Sequence, residues 1–163
     1  MAVEPPVPQH VPAHPGASSA AASHRMSTAK RRDTAAELAL RRQLHAQGLR
    51  YRVTYPVPGQ RRRTIDVAFT KAKVAVFVDG CFWHGCPEHG TRPQSNSTWW
   101  TTKLAANHAR DLDTDRLLGE LGWTVVRVWE HEPPDAAAQR IRQTLADQTP
   151  TNRIVLGPPP PDG

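Results

Sequence analysis

Thirteen consecutive residues, Val78-Asp79-Gly80-Cys81-Phe82-Trp83-His84-Gly85-Cys86-Pro87-Glu88-His89-Gly90, constrain this chain more than any other stretch. They hold both of its cysteines, two histidines, an acidic residue at each side and an adjacent Phe-Trp pair, broken up by glycines and a proline. Such a segment has no apolar core of its own and must be held from outside. Cys81, Cys86 and His89 have C-x4-C-x2-H spacing, and His131, further along, can be added as a fourth donor. Thiolates and imidazoles are the ligands zinc prefers, and a closed four-coordinate site would staple the loop. The alternative is a pair of buried free cysteines beside surface histidines. Two cysteines five positions apart among histidines do not suit a disulfide framework, which points to the cytosol.

The elements on either side place this loop in a fold. Val74 to Val78 is a near-continuous apolar run, predicted to be a central strand covered on both faces that delivers Asp79 and the loop at its C-terminal end. Thr64 to Phe69 predicts a second strand, with Ile65, Val67 and Phe69 on one face and Asp66 with Ala68 on the other. Before it come a strand over Leu49–Tyr55 and a turn over Pro56–Gln60. A helix over 34–47 opens with Thr34 and Glu37 at capping-box spacing, carries Leu40 and Leu44, and stops at Gly48. After the loop a long helix is expected from Thr98 to Glu120. Its core stripe would be Leu104, Leu112 and Leu117/Leu118, with Lys103, Asn107, Arg110/Asp111 and Thr114 on another face. A strand over Trp123–Trp129 and a helix from Pro134 to Asp147, with Ala138, Ile141 and Leu145 inward, complete the order α-β-β-β-α-β-α. That order predicts an α/β fold with a mixed central sheet flanked by helices.

One domain is expected over residues 25–150 of the 163. Residues 1–24 read as a disordered Pro/Ala-rich tail and 151–163 as a Pro-rich C-terminal tail. The first residues have no basic-then-apolar pattern of a secretory signal, and no segment has the apolar length of a membrane span. The formal charge of +6 is concentrated. Between His24 and Arg63, eleven Lys/Arg face only Asp33 and Glu37, a local +9. Such a stretch suits a polyanionic partner, or forms a solvated face.

Three sets of residues carry candidate chemistry. Asp66 is a charge inside an apolar strand, and its carboxylate can share one Mg²⁺ with Asp79 and with Glu37 from the first helix. Hard oxygen ligands around Mg²⁺ are what phosphodiester hydrolysis needs. His84 can be either a metal ligand or a general base acting on water. Phe82-Trp83 and Trp99-Trp100 can stack on or wedge between bases, or form a small core under the loop.

The string Asp79 to Gly90 resembles the signature of the very-short-patch-repair (Vsr) mismatch endonucleases. It is followed in family order by Trp100, Lys103, Asn107, Arg110-Asp111, Leu121-Gly122-Trp123 and Val128-Trp129-Glu130, and preceded at family spacing by Met26, Arg32-Asp33-Thr34 and Glu37. The resemblance spans about residues 25–132. It implies a restriction-endonuclease-like core with a structural zinc loop, and a Mg²⁺-dependent enzyme that nicks duplex DNA 5′ of the thymine in a T:G mismatch left by 5-methylcytosine deamination. Position by position it implies Asp66 as the principal Mg²⁺ ligand, helped by the main-chain carbonyl of Val78. It implies His84 as the residue that activates water, with Glu37 and Asp111 in support. Cys81, Cys86, His89 and His131 become the zinc ligands. Phe82, Trp83 and Trp100, with Met26 from the opposite groove, become a wedge at the mismatch, and Lys103 and Asn107 become DNA contacts. A T:G wobble pair is stacked less securely, so prising it open costs less.

The chain departs from the family pattern at two positions. The position of Asp79 is His or Asp among family members, and Asp favours metal binding over proton transfer. The usual Cys after Val-Trp-Glu is here His131, which can still ligate zinc. A monomer in the bacterial cytosol, associated with the nucleoid, is expected, with a repair polymerase and mismatch-repair proteins as further partners. Two competing readings are a nuclease of the same fold with another target and a zinc-stabilised DNA-binding module without catalysis.

Overall fold

A computed structural model of the protein describes residues 11–13, 15, 16, 33–90 and 93–148. Met26, the remainder of both tails and residues 25–32 and 149–150 lie outside the described residues. Helix α1 (Ala35–Ala46) is followed by strands β1 (Arg52–Val57), β2 (Gln60–Phe69) and β3 (Val74–Asp79). Then come helix α2 (Ser97–Glu120), strand β4 (Thr124–Trp129) and helix α3 (Pro134–Gln148). The expected order of elements is the one that forms.

The sheet has the order β1-β2-β3-β4. Its first two pairs are antiparallel and the last, β3 with β4, is parallel, because α2 carries the chain back before β4 begins. One face buries Leu40 and Leu44 of α1 and Ala137, Ala138 and Ile141 of α3 against Val67, Val76 and Val128. The other buries Leu118 of α2 against Ile65, Ala68, Ala75 and Phe77. Helices therefore cover the sheet on both sides, and the apolar run of β3 lies between β2 and β4, buried along almost its whole length.

Local chemistry sets the ends. Thr34 caps α1, its Oγ1 accepting the Glu37 N–H at 3.2 Å, and Gly48 leaves the helix at φ 80°. The hairpin between β1 and β2 is tighter than expected. Pro56 stays in β1 opposite Thr64, and only Pro58 and Gly59 turn, with Gly59 at φ 79°. Proline is tolerated there because β1 is an edge strand and needs no donor on its outer side.

Two expectations about faces are corrected. Ile65 does not share a face with Val67 and Phe69; it packs with Ala68 on the α2 side, while Val67 and Phe69 face α1 and α3. The alternation slips at Asp66. The β2–β3 pairing runs only from Phe69↔Val74 to Val67↔Val76, and beyond it the Asp66 carboxylate takes the Val78 N–H at 2.8 Å. In α2, Leu112 is 50 % exposed, and the buried positions are Trp100, Asn107, Thr114 and Leu118. The face at the spacing of Lys103, Asn107, Asp111 and Thr114 is the one turned inward, because it closes over polar groups at the ends of β3 and β4.

Candidate active site and metal cluster

The slip at Asp66 leaves a carboxylate where a strand would otherwise supply a backbone acceptor. Burial pushes Asp66 up to about 6; the Val78 amide opposes this, and the nearby Glu37 and Asp79 add to it. An acid this desolvated with two other acids near it stands in surroundings that favour a bound divalent cation. Glu37 is itself buried and pinned, accepting the Asp33 N–H at 3.0 Å and pairing with Arg41 at 3.2 Å. Its charge is near enough to raise Asp66, so the first helix presents an acid to the same region.

His84 follows one turn after the end of β3, where its amide donates to the Gly80 carbonyl at 3.1 Å. Its Nδ1 lies 2.5 Å from Asp111 Oδ2 on α2 and 3.8 Å from Asp79 Oδ1. Burial lowers the pKa of the ring, but the Asp111 bond and the Asp79 charge outweigh it and the net shift is upward. Asp111 moves the opposite way: burial raises it, and the bond to His84 brings it below its ordinary value. With Nδ1 engaged by Asp111, Nε2 is the nitrogen left to exchange a proton with water.

Arg127, in β4, was missed by the sequence reading. Its Nη1 donates to both oxygens of Asp79, at 2.9 and 3.1 Å, and its Nε and Nη2 hold Asp115 on α2. The signal was present, since Arg127 is a charge within the apolar run Thr124-Val-Val-Arg-Val-Trp129, as Asp66 is within its own strand. Asp79 is therefore held by a guanidinium. Burial still leaves its pKa raised, against the lowering effect of Arg127.

Cys81, Cys86, His89 and His131 come together with their donor atoms within 4.8 Å of one another. Cys81 Sγ is 3.1 Å and Cys86 Sγ 3.7 Å from His131 Nδ1, and Cys86 Sγ is 3.9 Å from His89 Nδ1. Ligands about 2.0–2.3 Å from a central ion stand at comparable separations around a tetrahedron. The outer nitrogen of His131 faces Glu88 at 3.5 Å, the carboxylate partner that metal-bound imidazoles commonly have. Burial and the neighbouring Cys86 push the Cys81 thiol up to about 11. Burial also raises Cys86, but the His89 and Glu88 amides bring it below its ordinary value. The donor set and its spacing fit a four-coordinate metal ion. Glu130, noted in the sequence only as part of Val128-Trp129-Glu130, anchors the loop by accepting the Cys81 N–H at 2.7 Å.

In the sequence Phe82 and Trp83 stand between Cys81 and His84, and their rings meet others. Phe82 meets Trp83 and Trp100 edge-on, each at 5.1 Å between centroids, and Trp99 meets Trp100 at 4.8 Å. Phe82 and Trp83 are half-buried, whereas Trp100 is buried beneath them. Asn107 is buried as well; its amide donates to the Trp83 carbonyl at 3.2 Å, and Lys103 is half-buried one turn earlier. Trp99 Nε1 donates to the Pro12 carbonyl at 2.7 Å and Asn96 to the Gly16 carbonyl at 3.2 Å, so a short piece of the N-terminal segment lies against the start of α2. Among the described residues no helix is long and apolar enough to cross a membrane.

A family model described as DNA mismatch endonuclease Vsr matches residues 17–89. The chain is 41 % identical over 135 residues to the type II nicking enzyme V.NaeI of Lentzea aerocolonigenes, covering 81 % of each protein. It is 37 % identical over 122 residues to the type II nicking enzyme V.XorIIP of Xanthomonas oryzae, covering 72 % of this chain and 85 % of that one. Over 134 residues it is 34 % identical to the DNA mismatch endonuclease Vsr of Escherichia coli, covering 81 % of this chain and 80 % of the relative.

Proposed function

The chain belongs to the Vsr family of DNA mismatch endonucleases, and from that premise we propose that it nicks one strand of duplex DNA 5′ of the thymine in a T:G mismatch, using Mg²⁺, to start very short patch repair. The observation that carries this reading is the convergence of Asp66 at the slip in β2, the His84–Asp111 pair at 2.5 Å and the Phe82–Trp83–Trp100 rings at one end of the sheet. The names of the relatives, nicking enzymes and a mismatch endonuclease, support a cut in one strand at a mispair.

In this reading Asp66 and the Val78 carbonyl hold Mg²⁺, with Glu37 setting the local charge. When bound, the ion supplies stabilisation of the negative charge that builds up on the attacked phosphate and the leaving oxygen. His84 accepts a proton at Nε2 as the oxygen of a water molecule bonds to phosphorus and the bond to the leaving sugar oxygen breaks. Asp111, fixed on Nδ1, keeps the ring in the tautomer that leaves Nε2 free and offsets the imidazolium charge. Phe82 and Trp83 wedge beside the mispair with Trp100 as their support, and Asn107 holds the Trp83 carbonyl in place. Lys103 and Met26 contribute DNA contacts from α2 and from the N-terminal arm. Cys81, Cys86, His89 and His131 hold Zn²⁺, whose part is structural. The protein acts as a monomer on DNA in the cytosol, and a repair polymerase replaces the nicked tract.

The test is incubation of a T:G duplex with the intact protein and with Asp66→Ala, with and without Mg²⁺. Nicking only by the intact protein and only with Mg²⁺ is expected. Cutting by Asp66→Ala at the wild-type rate, or without a divalent ion, contradicts the assignment.

A further inference from the structure

We infer that Arg127 is a positioning residue of the nicking reaction, deciding which of two carboxylates orients His84; the inference rests on the nuclease reading above. Arg127 leaves β4 beside Phe77, its register partner in β3, and its guanidinium carbon lies 4.6 Å from the Phe77 ring centroid. From there the planar fork reaches two elements at once. Nη1 takes both oxygens of Asp79 at the end of β3. Nε takes both oxygens of Asp115, at 3.2 and 3.0 Å, and Nη2 takes Asp115 at 2.7 Å and the Asp111 carbonyl at 3.4 Å. Asp111 and Asp115 are one helical turn apart, so the fork docks that turn of α2 onto the sheet. The Arg127 carbonyl in turn accepts from Arg140 of α3 at 2.7 Å.

The consequence falls on His84. Two carboxylates face its Nδ1, Asp111 at 2.5 Å and Asp79 at 3.8 Å. Asp79 is held 3.8 Å from the ring because Arg127 Nη1 draws both of its oxygens toward β4, and Asp111 is brought to the ring because the same guanidinium fixes its turn of α2. Without the fork, Asp79 is free to draw the imidazole toward the end of β3, and three carboxylates, Asp79, Asp111 and Asp115, face one another without their shared cation. Lysine cannot replace the fork, because a single ammonium on a flexible stem does not present fixed donors to two carboxylates in different directions.

The experiment uses single-turnover nicking of a T:G duplex, with duplex affinity and thermal stability measured alongside, for the wild type, Arg127→Lys, Asp79→Asn and the double variant. Arg127→Lys is expected to slow the nicking step about a hundredfold, the scale on which small misplacements act, while the Kd for the duplex changes by less than about threefold, since the fork itself faces inward. The double variant is expected to nick about tenfold faster than Arg127→Lys alone, because a neutral Asn no longer competes for the ring. A folded Arg127→Lys that nicks at the wild-type rate overturns the inference, as does a double variant no faster than Arg127→Lys. If Arg127→Lys does not fold, Asp115→Asn loosens the same fork from α2. It is expected to slow nicking about tenfold, and a wild-type rate in that variant overturns the inference. Absence of nicking by the wild type would instead overturn the functional reading beneath it.

Discussion

A carboxylate in the middle of a strand has to be held by something, and at Asp66 the holder is the amide of Val78. The arrangement costs stability whenever the acid is ionised, because its pKa stands at about 6 in the folded chain against an ordinary 3.8. The sign follows from which state binds the proton more tightly, and here it is the folded one. The penalty is absent below about pH 4, grows as pH rises through 6 and is full above it. Asp66→Asn keeps an oxygen for the Val78 N–H and removes the charge. Without Mg²⁺ at pH 8 it is expected to be more stable than the wild type by about 1–3 kcal/mol, the size of a shift of roughly two pH units, and equal to it near pH 3.5. Urea unfolding at the two pH values checks this; a variant less stable at pH 8 would contradict it. Asp66 was legible in the sequence because a charge in an apolar run is conspicuous. Arg127 gave the same signal, but its meaning depended on partners 48 and 12 positions away, at Asp79 and Asp115, which only the parallel β3–β4 pairing and the docking of α2 bring together.

Helix α2 shows how an element can be located correctly and turned the wrong way. Its span came through within a residue, but a helix whose inward face carries Asn107, Asp111, Thr114 and Asp115 defeats a rule that places leucines inside. The rule holds at its C-terminal end, where Leu118 is fully buried, and fails at Leu112, which is half exposed. Leu118→Ala is therefore expected to cost about 2–5 kcal/mol and Leu112→Ala less than about 0.5 kcal/mol, measured by denaturant unfolding. A reversed order would put the helix the other way round. The Cys/His loop was the more legible element, since the spacing of Cys81, Cys86 and His89 is a property of sequence while helix facing is a property of packing. Its turns leave little room: Gly85 sits at φ 67°, and a Cβ at Gly90 would overlap the Cys86 carbonyl oxygen. Gly90→Ala is expected to lower zinc content and change tryptophan fluorescence, through Trp83 and Trp100, while far-UV circular dichroism stays close to wild type. Full zinc occupancy in that variant would contradict the account of the loop.

Across the whole molecule the polar groups gather at one end of the sheet, where β3 and β4 finish, the loop is anchored and the long helix crosses. Order of elements, mixed sheet and ligand cluster could all be read from the chain, because periodicity and spacing encode them locally. The slip at Asp66, the inward polar face of α2 and the fork of Arg127 could not, because each is a contact between distant segments. The same arrangement puts the His84–Asp111 pair and the half-buried rings of Phe82 and Trp83 on one short loop and the helix beside it, so in the proposed function chemistry and mispair selection belong to one site. Their coupling is tested most directly by single-turnover nicking of strand-labelled duplexes identical except for T:G or T:A at one position, with Mg²⁺, mapped at nucleotide resolution. The account predicts one nick, in the T strand on the 5′ side of the mispaired thymine, at a rate at least about a hundredfold above that on T:A. It also predicts that Phe82→Ala with Trp83→Ala removes most of that difference. Equal cutting of the T:A duplex by the wild type, or cuts in both strands, would contradict it.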